Sequence, residues 1–239
     1  FSNEQWLANA GADFYNGVAE TSLRFDDGST AYLTHTIDGV ASSAITTTIS
    51  FWVKRNTLGT NQTLFISYIA NVAGYIIFNT SDKIVCYLDK TSGGSDELSS
   101  TSVAVFRDTS AWYHICVVYD VSESATANKQ KLYVNGVLSA FATPTATGSA
   151  VDAQRLLADN SVITIGKYFN ASNYADVYLA EYNILDGVDV GETSGYLDEF
   201  GELKNGVWIP KAYTGSYGTN GFRLKFDQVG VGTASTSTI

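Results

Sequence analysis

Methionine is absent from the 239-residue chain, proline occurs twice, cysteine twice and histidine twice. Two cysteines are too few for the dense disulfide framework that holds small secreted domains together. Cys86 lies in KIVCYLD and Cys116 in YHICVVYD, both strand-like, and both are expected as buried free thiols behaving as small apolar residues. Charge is scarce as well, at 16% of residues, and the balance is acidic: 24 Asp and Glu against 14 Lys and Arg, a formal net charge of −10. A phosphate backbone is repelled by that balance, so nucleic acid is not an expected partner, and neither is an anionic membrane surface. No run of about 18 apolar residues is present to span a bilayer as a helix. No basic segment followed by an apolar core marks a secretory signal.

Catalytic signatures are missing too. There is no G-x-S-x-G elbow, no metalloprotease histidine pair and no glycine-rich phosphate loop leading into a helix. Two cysteines and two histidines at scattered spacing make no zinc site. Glycoside hydrolysis needs two carboxylates at a set separation. Glu181 stands alone in YLAEYNIL, and Asp198, Glu199 and Glu202 cluster in an irregular stretch that reads as a solvated acidic loop. The two histidines are His35 and His114, and His114 sits in a strand that reads as buried, where a packed or hydrogen-bonded histidine is expected rather than a base. No enzymatic activity is expected.

What the chain does have is apolar and aromatic material, 45% and 13% of residues, ample for one large core. Runs of four to nine residues rich in Val, Ile, Thr, Tyr and Phe alternate with Gly, Ser, Asn and Asp clusters, the signature of strands and turns. Strands are predicted over 21–25, 31–35, 45–54, 62–69, 74–79, 83–89, 103–106, 112–120, 129–134, 137–141, 162–167, 176–185 and 222–226. In ITTTISFWVK, period two puts Ile45, Ile49, Phe51 and Val53 in the core and Trp52 on the less apolar face. The segment 112–120 is apolar on both faces, which predicts a central strand and places Trp112 in the core. Asn135-Gly136 fits the positive φ angles of a type I′ hairpin, with Leu132 and Val134 facing inward.

No long amphipathic helix separates the strands, so the fold predicted is all-β: an antiparallel two-sheet jelly-roll sandwich. Ser2 and Gln5 fit a capping box, and a short helix is expected over 3–10 within an N-terminal lead-in, residues 1–20. A single domain follows over 21–227. It contains an acidic, Gly-rich excursion at 186–221, expected to be ordered by Trp208, Ile209 and Tyr213. Residues 228–239 are a Gly/Ser/Thr-rich tail.

The segments SLRFDDGSTAYLT, TISFWVKR, FRDTSAWYHICVVYD, KLYVNGVLSAF, ITIGKYFN and YLAEYNILDG, in that order, resemble the laminin-G-like, concanavalin-A-like jelly-roll superfamily. GETSGYLDEFGELKNGVWIPKAYTGSYGTNGFRLKF is similar to the C-terminal part of laminin-G-like virion proteins of tailed bacteriophages. The resemblance implies a virion-surface protein, a tail-fibre or capsid-decorating subunit. It also implies other virion proteins as partners, a homo-oligomer in the particle, and adhesion to host or environmental glycans. A purely structural assembly module and a secreted glycan-binding lectin remain as alternatives.

A sugar site asks for aromatic faces beside amide or carboxylate groups. The loop KYFNASNYAD, residues 167–176, offers Tyr168, Asn170, Asn173, Tyr174 and Asp176 together, and is the candidate ligand-binding loop. For a structural calcium, Asp26 and Asp27 before Gly28 make an oxygen-rich turn, and Asp120 with Asn128 brackets another. Calcium takes six to eight oxygens and no sequential loop here supplies them. Ordinary turn-forming Asp and Asn is the default explanation for both groups. No other cofactor is expected.

Overall fold

A computed structural model of the protein describes residues 16–43, 45–69, 72–89, 97–142, 144–146, 156–170, 172–191, 197–227 and 237–238. The helix expected over 3–10 and most of the tail lie outside the described residues. The strands are β1 (Leu23–Phe25), β2 (Leu33–Thr36), β3 (Thr46–Arg55), β4 (Gln62–Ile69), β5 (Val72–Phe78), β6 (Ile84–Asp89), β7 (Glu97–Thr101), β8 (Tyr113–Asp120), β9 (Gln130–Val134), β10 (Val137–Ser139), β11 (Thr145–Ala146), β12 (Val162–Ile165), β13 (Val177–Asp186), β14 (Gly201–Lys204), β15 (Val207–Pro210), β16 (Phe222–Leu224) and β17 (Ser237–Thr238). Among the described residues the helical segments are two single 3-10 turns, Asp27–Ser29 and Thr126–Asn128.

Two large sheets form the predicted sandwich. One runs β1-β13-β3-β8-β9-β10, with β16 also paired to β13; the other runs β11-β7-β6-β5-β4-β12-β2-β17. We call them the first and second sheets. Their pairings are antiparallel apart from β17, whose Ser237–Thr238 backbone pairs parallel with β2. Between the sheets lies the main core, which includes Phe51, Val53, Phe65, Phe78, Ile115, Leu132 and Tyr182. The aliphatic and aromatic residues there come from alternate strand positions, as period two requires. Asn135 and Gly136 have φ of 50° and 78°, the hairpin geometry expected of Asn-Gly. Cys86 is buried in the main core and Cys116 in a second cluster, so the two thiols are free.

That second cluster explains a pattern that alternation misread. The outer face of the first sheet is not open to water. Cys116, Val118, Tyr133 and Leu185 pack there against Leu197 and Phe200 of the excursion. The excursion folds back as a hairpin, β14–β15, turned by Asn205-Gly206 with φ of 51° and 80°. It was read as poor in alternation, yet it carries the same Asn-Gly signal as the earlier hairpin. Ile209 is buried beneath it. Trp208 fits over two glycines: a Cβ on Gly136 would lie 2.5 Å from its ring and one on Gly201 2.3 Å.

Three sequence readings are corrected here. Trp112 is not core: it is 37% exposed, whereas Trp52, on the face read as less apolar, is only 7% exposed. Pairing of β8 begins at Tyr113, after Trp112, whereas Trp52 lies within β3 with its ring 5.2 Å from His114. Ile45 is exposed rather than inward. The strand predicted at 103–106 is a loop with Val103 and Val105 exposed; the strand is Glu97–Thr101, which pairs with β6. Backbone pairing to a neighbour decided that strand, against an unremarkable ELSST sequence.

Candidate functional site

The loop 167–176 begins at Gly166, φ 91°, and closes where the Ala175 amide donates to the Gly166 carbonyl at 2.9 Å. Inside it the Tyr168 amide donates to the Ser172 carbonyl at 3.0 Å, and the Ser172 hydroxyl donates to Asn170 Oδ1 at 2.5 Å. Lys167 Nζ sits 3.5 Å above the Tyr32 ring. The five predicted ligand residues do not form one site. Asn173, in left-handed backbone at φ 50°, uses its carbonyl to accept the Thr63 amide at 3.0 Å. Asp176 is an anchor: its carboxylate accepts from Asn56 Nδ2 at 3.1 Å and Thr57 Oγ1 at 2.5 Å. Tyr174 is half-buried, and Asn170 is exposed at the loop tip.

Tyr168 joins a surface that sequence spacing alone did not reveal. Along β5 and β6, Ile76, Phe78, Ile84, Cys86 and Leu88 point into the core, so Tyr75 and Tyr87 point out. They are cross-strand partners, and their rings stack 4.7 Å apart at 12°. Tyr68 of β4 shares that outer face, being paired with Ala73, two residues before Tyr75. The loop then lays two more rings beside these. Tyr168 meets Tyr75 edge-on at 5.6 Å, and Phe169 lies 4.7 Å from Tyr168 and 5.7 Å from Tyr68. Phe169 is 48% exposed. Burial raises the Tyr168 phenol above its ordinary range, so it stays a neutral hydroxyl at neutral pH. The result is a five-ring surface on the outer face of the second sheet, half-buried and open to solvent. A register reading was needed to find it; the signal available was a tyrosine at an outward position on each of β4, β5 and β6.

The predicted calcium residues do come together, with an unforeseen third. Carboxylate oxygens of Asp26, Asp27 and Asp176 lie within 4.8 Å of one another. This is a hard-oxygen set that suits calcium rather than zinc. Much of its capacity is already used. Asp26 Oδ1 accepts the Gly28 amide, both Asp176 oxygens accept from Asn56 and Thr57, and Arg24 lies 4.0 Å from Asp176. Asp120 and Asn128 act as turn residues: Asp120 Oδ1 accepts the Ser122 amide at 3.0 Å, and the Asn128 amide donates to the Ala125 carbonyl at 2.9 Å.

Two further groups were weighed as chemistry. Ser50 Oγ and His114 Nε2 are 2.9 Å apart, the spacing of a nucleophile and its base. Both are sealed in the sheet, and burial pushes His114 down to about 3, so the pair is a structural hydrogen bond. Glu181 occupies left-handed backbone, φ 47°, at the β13 bulge, and its Oε2 accepts from Arg223 at 2.9 and 2.7 Å. Burial raises the Glu181 carboxyl and Arg223 only partly offsets that. A carboxylate so held is committed to its arginine.

Comparison with known proteins places these features. The family model described as "Concanavalin A-like lectin/glucanases superfamily" matches residues 27–192. Among solved structures, a native heptameric SAP-like pentraxin from Limulus polyphemus is similar at 11% identity and TM-score 0.50, covering 72% of this chain and 78% of that one. The mouse laminin α1 chain, domains LG4-5, is similar at 13% identity and TM-score 0.50, covering 82% of this chain and 48% of that one. At such identities the likeness is one of fold. No curated protein matches the chain.

Proposed function

The chain belongs to the concanavalin A-like lectin/glucanases superfamily, and from that premise we propose that it is a non-enzymatic adhesion protein of a bacteriophage particle. In this reading it is a tail-fibre or capsid-decorating subunit whose lectin-like domain holds surface glycans. One observation carries the glycan part: the five-ring surface of Tyr68, Tyr75, Tyr87, Tyr168 and Phe169. Sugar rings present apolar C–H faces, and exposed aromatic faces bordered by polar loop residues such as Asn170 match them. The surface is shallow, so one site binds weakly. Many copies on a particle raise avidity by roughly 10²–10⁴. Homo-oligomers and other virion proteins are the partners this reading expects. Its virion part is supported by the resemblance of residues 191–226 to phage proteins.

The test is an array of bacterial surface glycans probed with the protein multimerised on beads. Tyr87→Ala and Phe169→Ala should lose the signal without losing the fold. Chromatography of the incubated glycan should show chains of unchanged length; shortening would overturn the non-enzymatic reading. Detection of the chain in purified phage particles checks the location. An alternative, a structural assembly module, is favoured by one observation: Val137 and Leu138 on edge strand β10 are 55% and 47% exposed. Absence of binding to every multivalent glycan would favour it.

A further inference from the structure

The excursion covers only part of the first sheet's outer face, and where it stops a cleft of about 370 Å³ opens. Its walls are Trp52 of β3, Ala180 of β13, Trp112 just before β8, Pro210 at the end of β15, and Ala19 and Glu20 of the lead-in. Ala180 and Trp52 are cross-strand partners, so the alanine leaves open the space beside the indole. The geometry points to a binding site for a quaternary ammonium group in this cleft, remote from the five-ring surface and independent of it.

The charge around the cleft is complementary to a cation. Two indoles line one small space, and the π face of an indole carries negative potential. Glu20 adds a full negative charge at the rim. It is exposed and forms no ion pair among the described residues. The cation side chains nearest in the adjoining cleft are Arg223 and Lys225, and Arg223 is already held by Glu181. The chain as a whole carries −10. An anion is therefore disfavoured. A neutral sugar asks for several convergent hydrogen-bonding groups, and the lining side chains offer the Ser22 hydroxyl and the Trp112 indole N–H, because the Trp52 indole N–H is sealed from solvent and the Thr21 hydroxyl already donates to the Lys225 carbonyl at 3.0 Å. A bare ammonium would leave most of its N–H groups unpaired between Ala19, Ala180 and Pro210. A quaternary ammonium has no N–H to satisfy, is weakly hydrated, and presents methyl groups to the apolar walls and positive charge to the rings and Glu20.

Choline headgroups and trimethyl-lysine side chains share this chemistry. Intrinsic tryptophan fluorescence of the intact protein reads the site, because Trp52 and Trp112 line it. Titration with choline chloride should give a saturable change that sodium chloride at equal ionic strength does not. Methyl glucoside, as the neutral ring, should give none. Loss of one of the two cation–π faces is expected to make Trp112→Ala about tenfold weaker, with Glu20→Gln weakened by several fold. Both positions are exposed enough for the fold to survive, which circular dichroism verifies. Phe169→Ala should leave the choline response unchanged, so this inference and the glycan reading fail separately. Phosphocholine and a trimethyl-lysine peptide as further titrants identify the source: the better binder of the two names it. A choline response equal to that of salt, a saturable response to the glucoside instead, or choline affinity untouched in both Trp112→Ala and Glu20→Gln would overturn the proposal.

Discussion

Acid should weaken this protein well above the pH at which its carboxylates protonate, and His114 is the reason. The side chain is fully buried between the first sheet and the excursion, with Trp52 at 5.2 Å, Trp208 at 5.9 Å and Phe200 at 6.2 Å by ring centroid. Nε2 is hydrogen-bonded to Ser50, and Nδ1 has no partner. No carboxylate among the described residues pairs with His114, and burial lowers its folded-state pKa from 6.5 to about 3. The unfolded chain therefore binds a proton at His114 before the folded one does. Stability from this group is intact above pH 6.5 and falls as pH drops from 6.5 towards about 3. Each pH unit in that window costs about 1.4 kcal/mol, so between pH 7 and pH 5 the loss is about 2 kcal/mol. Glu181 works in the opposite sense: its raised pKa lets the folded state take up a proton first, which offsets part of the loss. The assay that isolates His114 is urea unfolding at pH 7 and pH 5 for the wild type and for His114→Gln. The variant starts less stable, through altered packing, but should lose about 2 kcal/mol less between the two pH values. Equal losses in the two proteins would refute the placement of a neutral histidine there.

Other outcomes follow from the packing. Trp52→Ala should cost about 3–5 kcal/mol as a large buried aromatic, while Trp112→Ala should shift the melting temperature little; equal costs would contradict the observed exposures. Arg55 is buried with its guanidinium 3.0 Å from Asp82 and over the Phe78 ring; replaced by methionine, it leaves the buried Asp82 carboxylate to Arg107 and the Gly59 amide alone. Arg55→Met should cost about 3–5 kcal/mol by chemical denaturation, with the surface partner Arg107→Ala costing less than about 1. Gly136→Ala places a methyl at φ 78° and 2.5 Å from Trp208. Hydrogen exchange should then rise across residues 197–210 before it rises in β4 or β5, and uniform exchange would argue against a separately docked hairpin.

The alternation of ITTTISFWVK and the Asn-Gly turn were enough to predict the sandwich, because they encode which face is wet and where the chain reverses. What they cannot encode is a third layer. Thr48 and Ser50 are buried although polar, because the excursion lies over them; the Thr48 hydroxyl donates to the Val188 carbonyl at 2.7 Å and Ser50 pairs with His114. Both are local bonds to groups distant in sequence, invisible to periodicity. The same limit applied to the site. Tyr168 was visible in a loop rich in aromatic and amide groups. Tyr68, Tyr75 and Tyr87 became its neighbours only through strand register. Asp176, read as a ligand residue, also holds Asn56 and Thr57 through its carboxylate.

The third layer also decides which face is free to bind. A sandwich has two outer faces, and a strand covered on both is apolar on both or hydrogen-bonds its buried polar groups. β8 is largely apolar, and β3 buries Thr48 and Ser50 in hydrogen bonds to Val188 and His114, under the cover of Leu197, Phe200 and Trp208 of the excursion. On the second sheet β5 and β6 alternate, β6 reading buried, half-buried, buried along its length, whereas β4 is buried from Gln62 to Ser67. The outward residues of β6 are half-buried, and Tyr87 among them stacks on Tyr75. Tyrosine in those outward positions costs more exposed apolar area than threonine or lysine would. Three tyrosines on adjacent strands, extended by Tyr168 and Phe169, make a contiguous exposed aromatic surface, which a soluble monomer rarely presents without a partner. Burial of the first sheet's face and exposure of aromatics on the second are thus one arrangement. The excursion consumes one face for stability and leaves the other for contact, apart from the Trp52–Trp112 cleft where its cover ends.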